Sequence, residues 1–421
     1  MERYKPINLL NLLLSLSEAM DLAGPELVQH QQRTAFIAWE MGRAAKLPEP
    51  RLEQLFFAAL LHDIGALSVE EKYALLRDEG SETEEHAIRG AVLLSKLPFL
   101  GIAPSLVRGH HREWKDVREG IADNNNLERQ ILVLADTLER ATDRGAYILY
   151  QQKSITERIR EQSGKTFHPD VVDLFVNVSG REEFWLDLTS RRLYPLLLHN
   201  GPSRRIEVGL DGLFQIAGVF ASIIDFRSRF TSTHSSGVAA SALTLAKLFG
   251  LTEAEVAYME VAGYLHDLGK LVVPNSILEK PGKLTMEEFA VMKSHTYYTY
   301  SVLNTIGGLQ QIAEWGAYHH ERLDGSGYPF HCKATELSIG SRIMMVADIF
   351  TATAEDRPYR KGMSREEVTR ILTDFASRNL LEKRIVDLLI DNYQDVLSFT
   401  REKQEAARAF YETQFLTPQS Q

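Results

Sequence analysis

Ten of the thirteen histidines in this chain form two sets of five with nearly the same spacing. The first two members are 32 residues apart in both sets and the third and fourth are 24 apart in both, while the middle interval is 24 residues in one set and 29 in the other. The sets are His30, His62, His86, His110 and His111, and then His234, His266, His295, His319 and His320. A repeat with so long a period is typical of a duplicated structural unit, so we expect two copies of one domain.

Aspartates extend the repeat. The second histidine of each set is followed directly by an aspartate, Asp63 in LLHDIGA and Asp267 in YLHDLGK. Each set is then followed by an apolar run that ends in Ala-Asp, ILVLAD at Asp136 and IMMVAD at Asp348. We predict a first domain over residues 1–188, a connector over 189–210 that contains NGPSRR, and a second domain over 211–421.

Apolar residues recur at helical spacings along nearly all of the chain, which predicts an all-α fold of two tandem domains. The N-terminal stretch INLLNLLLSLSEAMDLA is too short for a membrane span and lacks a basic leader, so we expect no signal peptide and no membrane partner. The net charge of -10 argues against binding to bulk nucleic acid. The single cysteine, Cys332, excludes an internal disulfide and fits a cytoplasmic protein; we interpret it as an ordinary thiol, with a redox sensor as the alternative.

Each copy supplies five imidazoles and two carboxylates as candidate metal ligands. Imidazole nitrogen suits Fe, Mn, Ni and Zn, and a carboxylate can bridge two ions. Seven ligands exceed the three or four of a single zinc site and favour a pair of ions, an arrangement that recurs in phosphoester hydrolysis. A lone histidine in a helical core is usually structural, and we interpret His168, His199 and His331, which lie outside the repeat, in that way.

The second copy, from about Gly212 to Phe410, resembles an HD-GYP domain, a subgroup of the HD metal-dependent phosphohydrolases. The resemblance rests on HDLGKLVVPNSILEKPGKLTMEEFAVMKSH, HHERLDGSGYP and SRIMMVADIFTATAEDRPYR, in that order. It implies two divalent transition-metal ions, iron or alternatively manganese, which share Asp267 and a bridging hydroxide that attacks phosphorus. The other ligands that it implies are His234, His266 and Asp348 for one ion and His295, His319 and His320 for the other.

The resemblance also implies residues that bind the substrate. Lys270 would contact the scissile phosphate and stabilise developing charge, with a solvated helix residue as the alternative. Arg357 and Arg360 would hold the ligand's phosphates unless they pair with surface carboxylates. The turn at the rim of the site would contact the substrate through Gly327, Tyr328 and Pro329.

Several positions depart from the family pattern. Phe230 stands where some members carry a glutamate for a third metal, so we expect two ions, and Thr299 stands where glycine is frequent. The first copy resembles a plain HD domain in which Ala66 replaces the lysine and HHREWKDVREG lacks the Gly-Tyr-Pro turn. We interpret this domain as regulatory or structural. Whether it binds metal stays open for its ligand set, His30, His62, Asp63, His86, His110, His111 and Asp136.

We therefore predict a phosphodiesterase that hydrolyses a cyclic dinucleotide. The first candidate is cyclic di-GMP, cleaved to linear pGpG, and further cleavage to GMP stays open. The alternatives are the same reaction on cyclic GMP-AMP and a sensor that binds cyclic di-GMP without hydrolysis and acts through partners. The Gly-Tyr-Pro turn disfavours an HD enzyme for ordinary nucleotides. A homodimer or a signalling protein partner stays open.

Overall fold

The structure is a computed structural model that describes residues 6–22, 24, 26–76, 83–117, 126–202, 205–227, 233–356 and 361–415. The chain divides into two compact units. We call Asn8–Glu207 the N-terminal unit, and the part from Val208 onward, to which Ile7 also belongs, the C-terminal unit. Both are built almost entirely from helices, and the two short strands in the described part of the chain, Ile7–Asn8 and Glu207–Val208, pair with each other. The expectation of an all-α fold is confirmed.

The N-terminal unit packs its helices around α2, whose residues are buried along nearly its whole length. Such a helix needs neighbours on every side, and α1, α3, α8 and α10 pack against it. Its helices are α1 (Leu9–Asp21), α2 (His30–Ala44), α3 (Glu49–Leu60), α4 (Val69–Leu76), α5 (Thr83–Leu94), a 3-10 helix (Pro98–Leu100), α6 (Ala103–Arg108), α7 (Trp114–Val117), α8 (Asn126–Arg140), α9 (Ile148–Glu161), α10 (Pro169–Ser179), α11 (Glu182–Leu188) and α12 (Leu193–Asn200).

The C-terminal unit is organised in the same way around α14, which packs against α15, α19 and α22. Its elements are α13 (Leu210–Phe226), α14 (His234–Phe249), α15 (Glu253–Leu265), a 3-10 helix (Leu268–Val272), α16 (Asn275–Leu278), α17 (Met286–Asn304), α18 (Gln310–Ala317), a 3-10 helix (Tyr318–His320), α19 (Ile339–Ala354), α20 (Arg365–Ser377), α21 (Lys383–Asp391), α22 (Tyr393–Phe410) and a π-helix (Tyr411–Phe415).

Capping fixes where several of these helices begin. Thr252, Thr285 and Ser364 each accept a hydrogen bond from the backbone N–H three residues later, and the glutamate at that position binds back. Such capping boxes satisfy N–H groups that a helix start otherwise leaves without acceptors. Local sequence therefore sets the start of α15, which leads into His266 and Asp267, and the start of α17, which carries His295.

The structure departs from the predicted connector over 189–210. Residues 193–200 form α12, which packs against α1 and buries Leu193 and Leu197, so the N-terminal unit continues to Glu207. Pro195 does not interrupt this helix because a proline in the first turn lacks only an N–H that has no partner there in any case. Among the described residues, no helix combines the length and the apolar character that crossing a membrane requires. The cytoplasmic location stays a prediction.

Candidate metal centre

The C-terminal unit brings its seven predicted ligands together from separate helices. His234 is the first residue of α14, and His266 and Asp267 directly follow α15. His295 lies within α17, and His319 and His320 lie in the 3-10 helix after α18. Asp348 lies within α19. Six of the seven are buried, and the His320 side chain, which is 28% exposed, marks the side on which the cluster opens to solvent.

Backbone hydrogen bonds fix the orientation of three of these rings. The Nδ1 atoms of His266, His295 and His319 lie 2.8, 2.6 and 2.6 Å from the carbonyl oxygens of the residues three positions earlier. A carbonyl can only accept, so each Nδ1 carries the proton and each Nε2 presents a lone pair to the cluster. Metal-binding imidazoles are commonly held by a second hydrogen bond of this kind.

The distances within the cluster suit metal ions. The ligand atoms of His234, His266 and Asp348 lie within 4.8 Å of one another, and so do those of His295, His319 and His320. The Nε2 atoms of His295 and His319 are 3.3 Å apart although both are acceptors. Asp267 Oδ1 is buried and, in the described part of the chain, has no hydrogen-bond partner. Facing lone pairs and an unsatisfied carboxylate oxygen are what a bound cation would satisfy, so these residues fit a metal centre.

The electrostatics keep most ligands in the form that binds metal. Burial lowers the pKa of His295 to about 4 and that of His320 to about 3, so both rings are neutral at neutral pH. Burial alone would raise the pKa of Asp267, but its electrostatic interactions with the His266 ring and the Lys270 ammonium group outweigh burial and hold that pKa well below its usual range. Ligands must be deprotonated to bind an ion, and these groups meet that condition.

His234 is the exception, because it lies between two carboxylates. Its Nε2 is 3.2 Å from Asp348 Oδ1 and its Nδ1 is 3.5 Å from Glu355 Oε2. Burial opposes the charged ring, but these two contacts outweigh burial and raise the pKa of His234 to about 10. Metal binding at His234 therefore competes with a proton.

Lys270 lies at the edge of the cluster. Its Nζ is 2.5 Å from Asp267 Oδ2, and its side chain is 20% exposed. The ion pair holds the ammonium group next to the central carboxylate while leaving it accessible from solvent. An anion that reached the cluster would meet this positive charge.

Two buried carboxylates that were not predicted, Asp225 and Glu355, support the first histidine of the set. Asp225 accepts hydrogen bonds from the backbone N–H and the hydroxyl of Ser235, at 3.0 and 2.7 Å, and so holds the start of α14. Glu355 accepts from Thr233 at 2.7 Å, on the other side of His234. In the N-terminal unit Asp21 accepts from the backbone N–H of Gln31 in the same way. Asp21 and Asp225 each stand nine residues before the first histidine of their set, so the repeat in the sequence could have revealed both.

The Gly-Tyr-Pro turn lies beside His320. Its Tyr328 ring centroid is 5.0 Å from that of His320, and the backbone N–H of Tyr328 donates to the His320 carbonyl at 3.2 Å. Glu321, which is fully buried and was not predicted, accepts from the N–H groups of Phe330 and Cys332 at 2.8 and 3.0 Å. The Glu321 carboxylate therefore holds the loop that follows the Gly-Tyr-Pro turn through two backbone N–H groups. Burial raises the pKa of Cys332 to about 11, which keeps the thiol protonated and favours the ordinary-thiol interpretation.

Gly269 and Thr299 join the segment that carries His266 and Asp267 to α17, which carries His295. Thr299 Oγ1 donates to the His266 carbonyl at 3.0 Å and accepts from the Gly269 N–H at 2.9 Å. A Cβ on Gly269 would lie 1.9 Å from the His295 carbonyl oxygen, so only glycine allows this approach. Thr299, a departure from the family pattern, therefore has a structural role.

The N-terminal unit repeats this arrangement with its own ligand set. The Nε2 atoms of His110 and His111 are each 3.2 Å from His86 Nε2, and His62 and His110 bind backbone carbonyls through Nδ1 at 2.9 and 2.6 Å. The ligand atoms of one group, His30, His62 and Asp63, lie within 4.8 Å of one another, as do those of His86, His110 and His111. Its seventh residue, Asp136, lies 3.5 Å from His62 Nε2. The geometry fits metal as well as that of the C-terminal unit.

Two further charged groups complete the N-terminal cluster, and neither was predicted. Glu139 Oε2 is 2.5 Å from His30 Nδ1, the place that Glu355 takes beside His234. Arg140 Nη2 is 2.9 Å from Asp136 Oδ2, at a helical spacing of four. Glu139 is three residues after Asp136, whereas Glu355 is seven residues after Asp348. Because these spacings differ, the repeat in the sequence does not show that the two glutamates occupy equivalent places.

Some predicted positions do not join these clusters. Arg357, Arg360 and Phe230 lie outside the described residues. His168 begins α10 and accepts from the backbone N–H of Asp170 at 3.1 Å, a structural role, and His331 is exposed.

Two segments of the chain, residues 15–170 and residues 218–381, match the HD domain family. The chain belongs to this family. One segment falls within each compact unit, so the duplication is a pair of HD domains in tandem.

Relatives with known activities share much of this chain. The 3′3′-cGAMP-specific phosphodiesterase 1 of Vibrio cholerae is 30% identical over 401 residues, which covers 92% of both proteins. The cyclic di-GMP phosphodiesterase of Thermotoga maritima is 34% identical over 198 residues, 46% of this chain and 54% of its own. A crystal structure of a cyclic GMP-AMP specific phosphodiesterase of V. cholerae matches 93% of this chain and 98% of its own with a TM-score of 0.64 and 23% identity, which supports the fold.

Proposed function

We propose that this HD-domain phosphodiesterase hydrolyses a cyclic dinucleotide, 3′3′-cyclic GMP-AMP, in its C-terminal unit. The observation that carries the proposal is the meeting of Lys270 with seven candidate metal ligands in one cluster, which opens to solvent at His320. The arrangement combines a place for two cations with a fixed ammonium group, and a phosphodiester needs both to stabilise its developing charge.

The substrate assignment puts cyclic GMP-AMP ahead of cyclic di-GMP, which the sequence alone favoured. The assignment to cyclic GMP-AMP is supported by how much of this chain aligns with each kind of relative. The V. cholerae relative named for 3′3′-cGAMP aligns with both units, whereas the T. maritima relative named for cyclic di-GMP aligns with less than half of this chain. Resemblance of the C-terminal unit to HD-GYP domains fits either substrate, so the tandem arrangement is the discriminating feature.

We assign the metal ligands as the sequence predicted. His234, His266 and Asp348 would hold one ion, and Asp267 would contribute to both. The remaining ligands, for the second ion, are His295, His319 and His320. Iron is our first candidate and manganese the alternative. Two such ions, when bound, supply a nucleophile from water at neutral pH and neutralise charge on the phosphate.

The protein's own groups position the substrate and stabilise its charge. Lys270 Nζ, held 2.5 Å from Asp267, is placed to donate to a phosphate oxygen as negative charge develops. Tyr328 forms the wall beside His320, and Gly327 allows the turn to pass close to Glu321, since a Cβ there would lie 2.3 Å from the Glu321 backbone. Pro329 completes this turn. Together they shape the rim against which a nucleotide lies, and Arg357 and Arg360 stay predictions as phosphate contacts.

The N-terminal unit does not cleave this substrate in our proposal. It has Ala66 at the position of Lys270, and it has no Gly-Tyr-Pro sequence. We assign it a regulatory or structural role. The product of the C-terminal unit is a linear dinucleotide, with further cleavage to mononucleotides open.

The proposal is tested with protein purified without oxygen and loaded with Fe²⁺ or Mn²⁺. Chromatography follows 3′3′-cyclic GMP-AMP and cyclic di-GMP incubated with the wild type, with His266→Ala, Asp267→Ala, and with the matched N-terminal variant His62→Ala, Asp63→Ala. We expect a linear dinucleotide from the wild type and the N-terminal variant, a higher kcat/KM for cyclic GMP-AMP, and no product from the C-terminal variant.

Different outcomes contradict different parts of the proposal. A metal-loaded wild type that binds the dinucleotide without cleaving it would make the protein a sensor. A kcat/KM for cyclic di-GMP equal to or above that for cyclic GMP-AMP removes the substrate assignment alone. Loss of hydrolysis in the N-terminal variant with full metal in the C-terminal unit would mean that catalysis needs both clusters.

A further inference from the structure

Glu355 faces the first histidine of the C-terminal cluster from outside the cluster. Its Oε2 is 3.5 Å from His234 Nδ1, and both side chains are buried. At the rings of His266, His295 and His319 the same nitrogen meets a backbone carbonyl. A carboxylate therefore takes the place of the carbonyl at His234. Since Glu355 directly follows α19, its side chain orients the ring only if other groups hold it in place.

Two neutral donors hold the other oxygen of this carboxylate. Thr233 Oγ1 donates to Glu355 Oε1 at 2.7 Å and Gln404 Nε2 donates to it at 3.0 Å, and both side chains are buried. Thr233 is the N-cap residue of α14, a position where a threonine hydroxyl commonly accepts from the first N–H groups of the helix. Here the hydroxyl makes no capping bond to the described start of α14. Its proton goes to Glu355 instead.

Gln404 of α22 reaches Glu355 past a glycine of α14. Gly237 lies in the first turn of that helix, and a Cβ there would lie 2.7 Å from Gln404 Nε2 and 2.8 Å from Thr351 Cγ2. Glycine lowers the stability of a helix, so another residue type is favoured where there is room for a side chain. The close approach of the Gln404 amide accounts for the glycine at this position.

The N-terminal unit holds the corresponding carboxylate with charged groups. Glu139 contacts His30 Nδ1, and Arg144 Nη2 is 2.6 Å from Glu139 Oε1. Arg33, which stands at the position that corresponds to Gly237, lies 3.7 Å from the same oxygen. One unit therefore has an arginine of the histidine's own helix beside the carboxylate, and the other has a glycine that admits a glutamine from a later helix. An amide does not neutralise the carboxylate as an arginine does, so the C-terminal carboxylate keeps its charge toward the imidazole.

We propose that Gln404 is a positioning residue of the C-terminal metal centre, which together with Thr233 fixes Glu355 against His234 Nδ1 and so sets the affinity of the ion that His234 would hold. Groups that orient a metal-binding imidazole from its second nitrogen commonly affect metal affinity. The match to the HD domain family ends at residue 381, so Gln404 lies beyond it. The proposal rests on the metal centre of the proposed function, but not on its substrate.

The test uses the full chain with His62→Ala, Asp63→Ala, which disables the N-terminal cluster. Equilibrium dialysis against a series of Mn²⁺ concentrations, followed by mass spectrometry of the metal content, gives the number of bound ions and their affinities. Gln404→Met removes the amide at a similar volume, and we expect it to weaken one of two ions about tenfold. Gln404→Glu, which places a second carboxylate against Glu355, should weaken that ion at least as much. Glu355→Gln should weaken it by about 10- to 100-fold.

A double variant separates positioning from packing. If Gln404 acts through Glu355, adding Gln404→Met to Glu355→Gln should weaken the ion no further. Thr233→Val should weaken the ion as Gln404→Met does, whereas Thr233→Ser, which keeps the hydroxyl, should bind it as the parent chain does. Gln394→Met is the matched control, because Gln394 is an exposed glutamine of the same helix whose amide donates to Ser398. It should change neither affinity.

Thermal unfolding of the metal-free variants reports the stability of the fold. Unchanged Mn²⁺ affinities in folded Gln404→Met and Gln404→Glu chains overturn the proposal, and a lower melting temperature without a change in affinity makes Gln404 a packing residue only. Additive losses in the double variant overturn it too. A parent chain that binds no Mn²⁺ in its C-terminal unit overturns the metal centre itself, so the two failures are distinguishable.

Discussion

Adding one methyl group at Gly269 should disrupt the proposed metal centre of the C-terminal unit without replacing any of its candidate ligands. The Cβ of Gly269→Ala would lie 1.9 Å from the His295 carbonyl oxygen and 2.8 Å from the Thr299 nitrogen, both in the backbone of α17. An ordinary contact begins at 3.4 Å, so the 3-10 helix and α17 must separate by about 1.5 Å. In the wild-type structure His295 Nε2 lies 3.4 Å from Asp267 Oδ1. Moving α17 away from the 3-10 helix would move these two atoms apart.

The expected effect follows from the tolerance of metal sites. Ligand distances in such sites vary by only about 0.2 Å, far less than the required shift. We expect the metal affinity of the C-terminal unit to fall by at least about 10- to 100-fold, as when groups that orient ligands are lost. Hydrolysis should fall by about 100-fold or more at subsaturating metal, and the overpacked contact should lower the free energy of unfolding by about 1–3 kcal/mol.

The duplicated chain supplies matched controls for this measurement. Gly65→Ala puts a Cβ 2.0 Å from the His86 carbonyl oxygen, the same clash in the N-terminal unit, while Gly218→Ala in α13 meets no atom within 4 Å. Metal content per chain, product formation by chromatography and thermal unfolding are measured for all three. Gly65→Ala should lose metal without losing hydrolysis, and Gly218→Ala should resemble the wild type. A Gly269→Ala protein with wild-type metal content and rate would refute the argument.

Three further predictions concern residues around the centre. Lys270→Gln should keep the metal content but lower kcat by about 100- to 1,000-fold, as when one donor to a developing negative charge is lost; an unchanged kcat would contradict its role. Glu321→Ala removes the acceptor for the N–H groups of Phe330 and Cys332, so KM should rise and the loop should become sensitive to protease, and resistance equal to that of the wild type would count against this. Burial raises the pKa of Asp225 to about 7, so in the folded metal-free protein this carboxyl binds a proton over a range in which the unfolded chain has lost it. The free energy of unfolding should therefore fall as the pH rises from about 4 to 7, and Asp225→Asn should flatten this fall in denaturant titrations at several pH values; parallel profiles would contradict the assignment.

The residues that cluster in each unit were predictable because the duplication preserved the spacing of the segments that present them. His266 and Asp267 come at the end of a helix in one copy, and His62 and Asp63 in the other, so the same doublet marks both. The all-α fold followed from helical periodicity for the same reason. Residues that must occupy a fixed place on a fixed element leave a pattern in the sequence.

The residues that contact the histidines from outside the clusters were hard to predict, because side chains at several sequence positions can make the same contact. A carboxylate that meets the Nδ1 atom of the first histidine can come from either of two turns, as Glu139 and Glu355 do. Their nearby arginine and threonine partners also differ between the copies. The extent of the N-terminal unit was missed for a related reason, since the burial of Leu193 and Leu197 against α1 depends on tertiary packing.

The contrast between the two clusters separates binding of metal from handling of substrate. Both copies fix imidazoles through the same backbone carbonyl contacts, such as His62 with Ala59 and His266 with Gly263, so this geometry requires only the helix ends themselves. The cations beside the two clusters differ: Ala66 stands at the position that corresponds to Lys270, and Arg140 of α8 pairs with Asp136. The shared carbonyl contacts therefore account for the common arrangement of the imidazoles in the two units, whereas Lys270 and the Gly-Tyr-Pro turn, which the N-terminal unit lacks, carry the substrate role proposed for the C-terminal unit.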